Sequence, residues 1–376
     1  MRGDKRKSPA LARWLFKCVA RSEEKETIYG DMEEYFQELV IERSILRARL
    51  WYWRQVLLAM PALILNSIKG SAMMVKNYFK TAVRNLLLHK GYSLINIAGL
   101  AIGMACCLLI LMFVNNELSY DRYHEKANRI YRVVSEIKFG GRHFKLAVLP
   151  PAAAGTFVKE LPEVKDAVRF RNRGSHIIKF ADKSFEENRV IFSEPSFFNI
   201  FSIPLLAGNA KTALKNPYSI VLSKKCAEKY FGQENPVGKI LKLDNERDYR
   251  ITGIYGNIPP TSHFHFDFIA SINSIEEFDV TDWLRDNFIT YLLLRENADV
   301  KALQAKFPQI IKKYFGPEIE KMTGKSLDEM IKSGYISITY RMQPLTDIHL
   351  YSNLTAELEP NSDIKYVYIF SAIAFF

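Results

Sequence analysis

Leu94 to Val114 reads LINIAGLAIGMACCLLILMFV, 21 consecutive residues without a charge. A helix rising ~1.5 Å per residue needs about 20 apolar residues to cross a ~30 Å hydrocarbon layer, so this run is long enough to span a bilayer. The chain reads first as an integral membrane protein. A second apolar run, Tyr366 to Phe376, follows Asp363 and Lys365 and has 11 residues. That is too few to cross, so 364–376 reads as the start of a second span that a longer polypeptide completes. No cleavable leader is expected, because the first apolar stretch lies deep in the chain and exceeds the length of a signal core.

Working outward, the formal charge of +11 is uneven. Residues 1–93 carry 17 Lys and Arg against 9 Asp and Glu, whereas 117–363 carry 34 against 32. Between Gly70 and Tyr92 there is no acid, but there are Lys76, Lys80, Arg84 and Lys90. Positive charge beside a span marks the cytoplasmic flank, so the N-terminus is expected inside and residues 115–363 outside. A segment of that size can bury its own core as one domain or two. Cys106 and Cys107 sit within the span and Cys18 on the far side of it, leaving Cys226 alone outside, so no disulfide can staple the outer region.

Residues 1–70 read as a small helical module. Ser8 and Pro9 fit a helix start, and Leu11, Trp14, Leu15, Cys18 and Val19 follow at one-face spacing. Met32, Tyr35, Phe36, Leu39 and Val40 form a second stripe after Gly30-Asp31. Val56 to Ile68 is too short to span and carries Pro61, and its Trp51-Tyr52-Trp53-Arg54 lead-in suits a helix at the bilayer surface. Over 71–93, Lys76, Lys80 and Arg84 fall on an i, i+4, i+8 row, which reads as an amphipathic interfacial helix feeding the span at 94–114.

Outside, the pattern turns to mixed helix and strand. Strands are expected near 167–170, 176–180, 189–192, 219–222, 249–255 and 288–294, and helices near 151–160, 223–231 and 300–314. Asn235-Pro236-Val237-Gly238 and Ile258-Pro259-Pro260 carry turn chemistry. The fold class is thus transmembrane α-helices with a large α+β extracytoplasmic domain and a small helical cytoplasmic N-terminal segment.

Few residues suggest chemistry. Gly324-Lys325-Ser326 lacks the glycine five positions upstream that a phosphate loop needs, since Ile319 stands there. His263, His265 and Asp267 alternate with Phe264, Phe266 and Phe268; in a strand the polar three would share a face. That row fits a metal site or, as the expected reading, a sheet with one wet and one aromatic face. No serine sits in a nucleophile elbow, and Glu186-Glu187 and Glu276-Glu277 read as solvated pairs. No catalytic activity, cofactor or metal is expected of this polypeptide. Gly99 and Gly103 make a small-xxx-small ridge that admits another helix closely, or reflect only the frequency of glycine in membrane helices. Arg43, Arg47, Arg49 and Arg54 near Trp51 and Trp53 match anionic lipid or a cytoplasmic partner better than nucleic acid.

The stretch Asn77 to Val134 resembles the N-terminal part of MacB/FtsX-like ABC transporter permeases, in the form common in Bacteroidetes. So do Pro195-Ser196-Phe197-Phe198 through Leu205-Leu206-Ala207-Gly208-Asn209, Ser219 to Ser223, Lys229-Tyr230-Phe231-Gly232, Asn235 to Lys239, and Pro344-Leu345-Thr346-Asp347-Ile348-His349-Leu350. The first 70 residues resemble the prefix segment some of these permeases carry. The resemblance implies a four-span subunit with its outer domain between spans one and two, an inserted lobe at roughly 177–260, a homodimer or paired permease, and a separate cytoplasmic ABC ATPase. It also implies motion relayed outward, toward an outer-envelope partner, without cargo necessarily crossing this bilayer. The competing expectation from the residues is a two-span receptor or scaffold whose outer domain binds a ligand or a cell-wall enzyme.

Overall fold

The computed structural model describes residues 7–375 except 20, 21, 43, 276, 277, 279 and 280; Arg43, Glu276 and Glu277 lie outside the described residues. The chain divides into two compact units, 1–104 and 105–376.

The first unit is helical: α1 (Ala10–Val19), α2 (Ser22–Glu42), α3 (Ile45–Leu88) and the start of α4 (Lys90–Leu118). Its small core is Ala12, Phe16, Met32, Phe36, Tyr52 and Val56. The stripe expected on α1 is therefore rotated: Leu11 and Trp14 are exposed, whereas Ala12 and Phe16 are buried. The Ser8 hydroxyl donates to Glu33 Oε2 at 2.7 Å, tying the start of α1 to α2. The separate helices expected over 56–68 and 71–93 are one 44-residue helix that runs through Pro61 and ends at Leu88. A proline removes one backbone donor, and the turns on either side carry the helix past it. The chain then restarts at Lys90, so Lys76, Lys80 and Arg84 lie on α3 while Lys90 opens α4. The helix carrying the 21-residue run extends beyond it at both ends, and among the described residues it is the one helix long and apolar enough to cross a membrane.

The second unit is α+β. Its strands are β1 (Ile130–Phe139), β2 (Arg142–Leu146), β3 (Val164–Asn172), β4 (His176–Phe180), β5 (Lys183–Glu187), β6 (Val190–Ser193), β7 (Leu205–Gly208), β8 (Ser219–Ser223), β9 (Ile240–Leu243), β10 (Arg247–Tyr255), β11 (Phe268–Ser271), β12 (Ile289–Leu294) and β13 (Ile336–Pro344). The helices are α5 (Pro151–Glu160), α6 (Ser196–Ile200), α7 (Lys224–Phe231), α8 (Val300–Gln304), α9 (Phe307–Ile310), α10 (Gly316–Thr323), α11 (Leu327–Lys332), α12 (Ile348–Tyr351) and α13 (Ile364–Phe375). The helix expected over 300–314 is split because Pro308 starts a new one at α9.

The strands form one sheet in the order β13-β1-β12-β3-β6-β11-β8-β10-β9-β4-β5, with β2 beside β1 and β7 beside β10. Successive side chains point to opposite faces of a strand, and the cores follow that period. Leu292 and Leu294 of β12 pack with Phe157, Phe307 and Tyr340 on one face. Tyr291 and Leu293 join Phe170, Phe197 and Phe264 on the other. A third cluster, with Ile220, Leu222, Tyr230 and Phe268, fills the β8 side. β3 carries the sheet across the middle: Val168 faces Tyr291 of β12, while Arg171 and Asn172 pair with β6. The region expected as an inserted lobe supplies β4 to β10, yet β11, beyond residue 260, lies between β6 and β8.

Several residues quoted for the family resemblance have a geometric reason. A Cβ on Gly208, at φ +94°, would stand 2.3 Å from the Thr252 carbonyl oxygen, so β7 can approach β10 only with glycine there. Gly238, at φ +92°, turns the chain after an Asn235 side chain that accepts from Val237 N at 3.0 Å.

Candidate functional site

The polar residues that fold into one connected constellation lie where α4 ends and α13 begins. The last turn of α4 leaves carbonyls without helical partners. Arg122 Nε donates to Leu118 O at 2.7 Å, and Ser119 Oγ to Asn116 O at 2.8 Å. A cation there also opposes the negative end of the helix dipole. In the same turn Glu117, 8% exposed, faces His349 Nε2 of α12 at 3.1 Å. The Tyr120 ring stacks on the His349 imidazole with centroids 3.4 Å apart.

Beyond the helix, Asp121 adopts φ +58° and is fully buried. Its N–H donates to Thr261 O at 2.8 Å, and its Oδ1 accepts from His263 N at 3.2 Å. His263 Nδ1 is 2.9 Å from the same oxygen but off the line of a hydrogen bond, so we read that contact as electrostatic. His263 Nε2 meets the Tyr291 hydroxyl at 2.6 Å. His124 is buried beside them; burial pushes its imidazole down to about 4, and its neutral Nδ1 accepts from Ser202 N at 3.1 Å.

The segment leading into α13 is held from the same side. Arg132 of β1, fully buried, donates to both Glu357 carboxylate oxygens, to Ser352 Oγ at 2.8 Å and to Gln343 Oε1 at 2.8 Å. Glu359 accepts from His265 N at 2.6 Å and pairs with His265 Nδ1 at 2.9 Å. That bond raises the His265 imidazole above its ordinary range. Burial would raise the Glu359 carboxyl, but its bonds from His265 outweigh it and hold it low. Ser362 N donates to His349 O at 2.9 Å. Further along, Phe113 of α4 meets Phe370 of α13 edge-on at 5.2 Å, and Cys107 Sγ lies 3.8 Å from Ala374 O. The outer ends of two apolar helices are thus tied to the same few residues of the sheet domain.

The residues singled out by sequence fall as follows. His263, His265 and Asp267 do not converge on one site. They lie in an extended loop before β11 and go to Asp121, Glu359 and Ser223 respectively. Phe264, Phe266 and Phe268 are buried, so the aromatic half of the expectation holds, but His263 is buried rather than wet. Among the described residues no group of three or more His, Cys, Asp or Glu could hold a metal ion. Gly324 is the left-handed C-cap of α10, and Ser326 starts α11 with a capping box to Glu329. The Gly-Lys-Ser run is therefore helix punctuation. Glu187 is not solvated; it binds Lys229 Nζ at 2.6 Å and Tyr230 OH at 2.8 Å. Cys226 is buried, and burial pushes its thiol up to about 12. Gly99 and Gly103 stand on α4 and, apart from the neighbouring backbone of that helix, no described atom lies within 4 Å of where a Cβ would be. Lys76, Lys80, Arg84 and Lys90 are exposed.

Sequence reasoning missed Glu117, Asp121, Arg132, Tyr120 and Glu357. The one available hint was Glu117, an acid three residues after the 21-residue run.

The sequence profile of the MacB-like periplasmic core domain matches residues 93–310. No curated protein matches the chain. Among solved structures, a domain of a permease protein from Porphyromonas gingivalis is similar at TM-score 0.52 and 20% identity, over 66% of this chain and 100% of that one. The periplasmic region of MacB from Actinobacillus actinomycetemcomitans aligns at TM-score 0.33 and 15% identity, over 55% of this chain and 87% of that one. The extracellular domain of the noncanonic ABC-type transporter YknZ from Gram-positive bacteria aligns at TM-score 0.35 and 13% identity, over 56% and 99%.

Proposed function

The chain belongs to the MacB/FtsX-like ABC transporter permeases, membrane proteins with an extracytoplasmic segment, and from that premise we propose that it relays motion rather than conducting cargo through itself. In this reading a separate cytoplasmic ATPase hydrolyses ATP. The N-terminus lies in the cytoplasm, α4 and α13 belong to the first two spans of a multi-pass subunit, and two permeases pair. The sheet domain outside is displaced when those helices shift, acting on an export route or an envelope partner. The polypeptide itself carries no hydrolytic chemistry.

The observation that supports this reading is the shared anchorage of the two helix ends. Separating a buried ion pair or leaving one partner uncompensated costs about 3–5 kcal/mol. Helix displacement is then more cheaply relieved by moving the sheet domain than by tearing Arg132 from Glu357, with the Glu117–His349 hydrogen bond adding to that tie.

The test uses the full-length protein in lipid nanodiscs with its ATPase, and spin labels at the outer end of α4 and on exposed β5. ATP should change the label separation. Glu117→Gln combined with His349→Ala should abolish that change while leaving ATP hydrolysis within about twofold. The reading fails if no ABC ATPase associates with the full-length chain, or if the double variant keeps the full distance change.

A further inference from the structure

A cavity of about 190 Å³ opens on the face of β1 and β13 remote from the joint, between α10 and residues 283–286. Trp283, Phe315, Ile319, Ile338 and Tyr340 line it, and Met322 stands exposed at its rim. Trp283 is held by stacking on Tyr314 at 5.4 Å. One carboxylate interrupts this apolar lining: Asp286 is partly buried in it and, among the described residues, has neither a hydrogen bond nor an ion pair. Its nearest charged influence is Asp282, of the same sign, and Asp282 is already spent on Arg285 at 2.5 Å.

A carboxylate against apolar walls without a counter-charge is expensive. Most such groups in folded proteins are paired, and here the missing element is a cation. The cavity also restricts what can bring one. An apolar cavity of about 150 Å³ accommodates benzene, so this one fits a body of about six to eight carbons, far below the size of a drug pocket. Aromatic walls favour an ammonium further, through the negative faces of their rings.

We propose that this cavity binds small hydrophobic ammonium ions, with the Asp286 carboxylate as counter-ion and the Trp283, Phe315 and Tyr340 rings about the apolar body. The site is independent of the relay function: it lies away from the helix joint and needs neither ATPase nor motion.

The experiment is calorimetric titration of the full chain in nanodiscs at pH 8 with hexylammonium, hexan-1-ol and hexanoate, subtracting titrations of empty nanodiscs. Hexylammonium should bind saturably and at least tenfold more tightly than hexan-1-ol, and hexanoate should not saturate. Asp286→Asn should lower hexylammonium affinity at least tenfold and leave hexan-1-ol unchanged. Met322→Trp, which crowds the rim from an exposed position, should weaken both. Equal affinities for the ammonium and the alcohol overturn the proposal. So does undiminished ammonium binding in Asp286→Asn, or the absence of saturable binding above the lipid background.

Discussion

Burial pushes the Asp286 carboxyl up to about 7, with repulsion from Asp282 adding to it. An unfolded chain releases that proton near pH 4. Between about pH 4 and 7 the folded protein therefore holds a proton that the unfolded chain has lost, and stability falls as pH rises through that window. Asp286→Asn should raise the melting temperature at pH 8 and leave it nearly unchanged at pH 4. The difference corresponds to roughly 1–4 kcal/mol, and thermal melts at the two pH values check it. His124 works in the opposite direction, since burial holds it down at about 4. Below the ordinary imidazole range the unfolded chain takes up a proton that the native site refuses, so this contribution is present above about pH 6.5 and lost as pH falls toward 4. His124→Asn keeps an acceptor for Ser202 N and should shrink the stability gap between pH 7.5 and pH 4.5 by roughly 1–3 kcal/mol. Denaturant midpoints at both pH values measure it, and an unchanged gap would refute the assignment.

At the scale of elements, the junction of β7 with β10 is the least forgiving contact. Gly208 carries a positive φ and stands against the Thr252 carbonyl, so Gly208→Ala must shift a strand. It should cost about 2–4 kcal/mol, read from the urea midpoint of the purified protein, whereas Gly155→Ala, which meets open space on α5, should be within about 0.5 kcal/mol of neutral. The same contrast explains what was legible in advance. β4, β8 and β12 are short, mostly apolar runs and β10 alternates, burying Tyr249, Ile251 and Tyr255, and local pattern sufficed to find them. β13 alternates cleanly through Ile336, Ile338, Tyr340 and Met342 and was legible but missed. β1 was hidden because buried polar residues interrupt its alternation, above all Arg132, whose partner Glu357 is 225 residues away. The joint was hidden for the same reason: Glu117 and His349 are 232 residues apart, and no spacing rule links them. The row His263, His265, Asp267 misled because period-two spacing implies a common face only in a paired strand, and this segment pairs with none. Pro61 marks the opposite error, a breaker that the flanking turns of α3 absorb.

For the whole molecule, the basic excess of residues 1–93 over the near-neutral 117–363 makes a topological prediction. Alkaline phosphatase fused after Lys69 should be inactive and after Gly208 active; the reverse pattern would invert the orientation taken here. Finally, β3 is paired with β12 along most of its length and with β6 at Arg171 and Asn172, so one strand end joins the β13 side of the sheet to the β5 side. Eleven strands in line, at ~4.8 Å each, make a sheet roughly 50 Å broad. In the motion-relay reading that narrow seam sets how far a tilt travels: if it stays rigid, turning the β13 margin by about 10° would sweep β5 through an arc of roughly 8 Å, and if it bends, the stroke stops at β3.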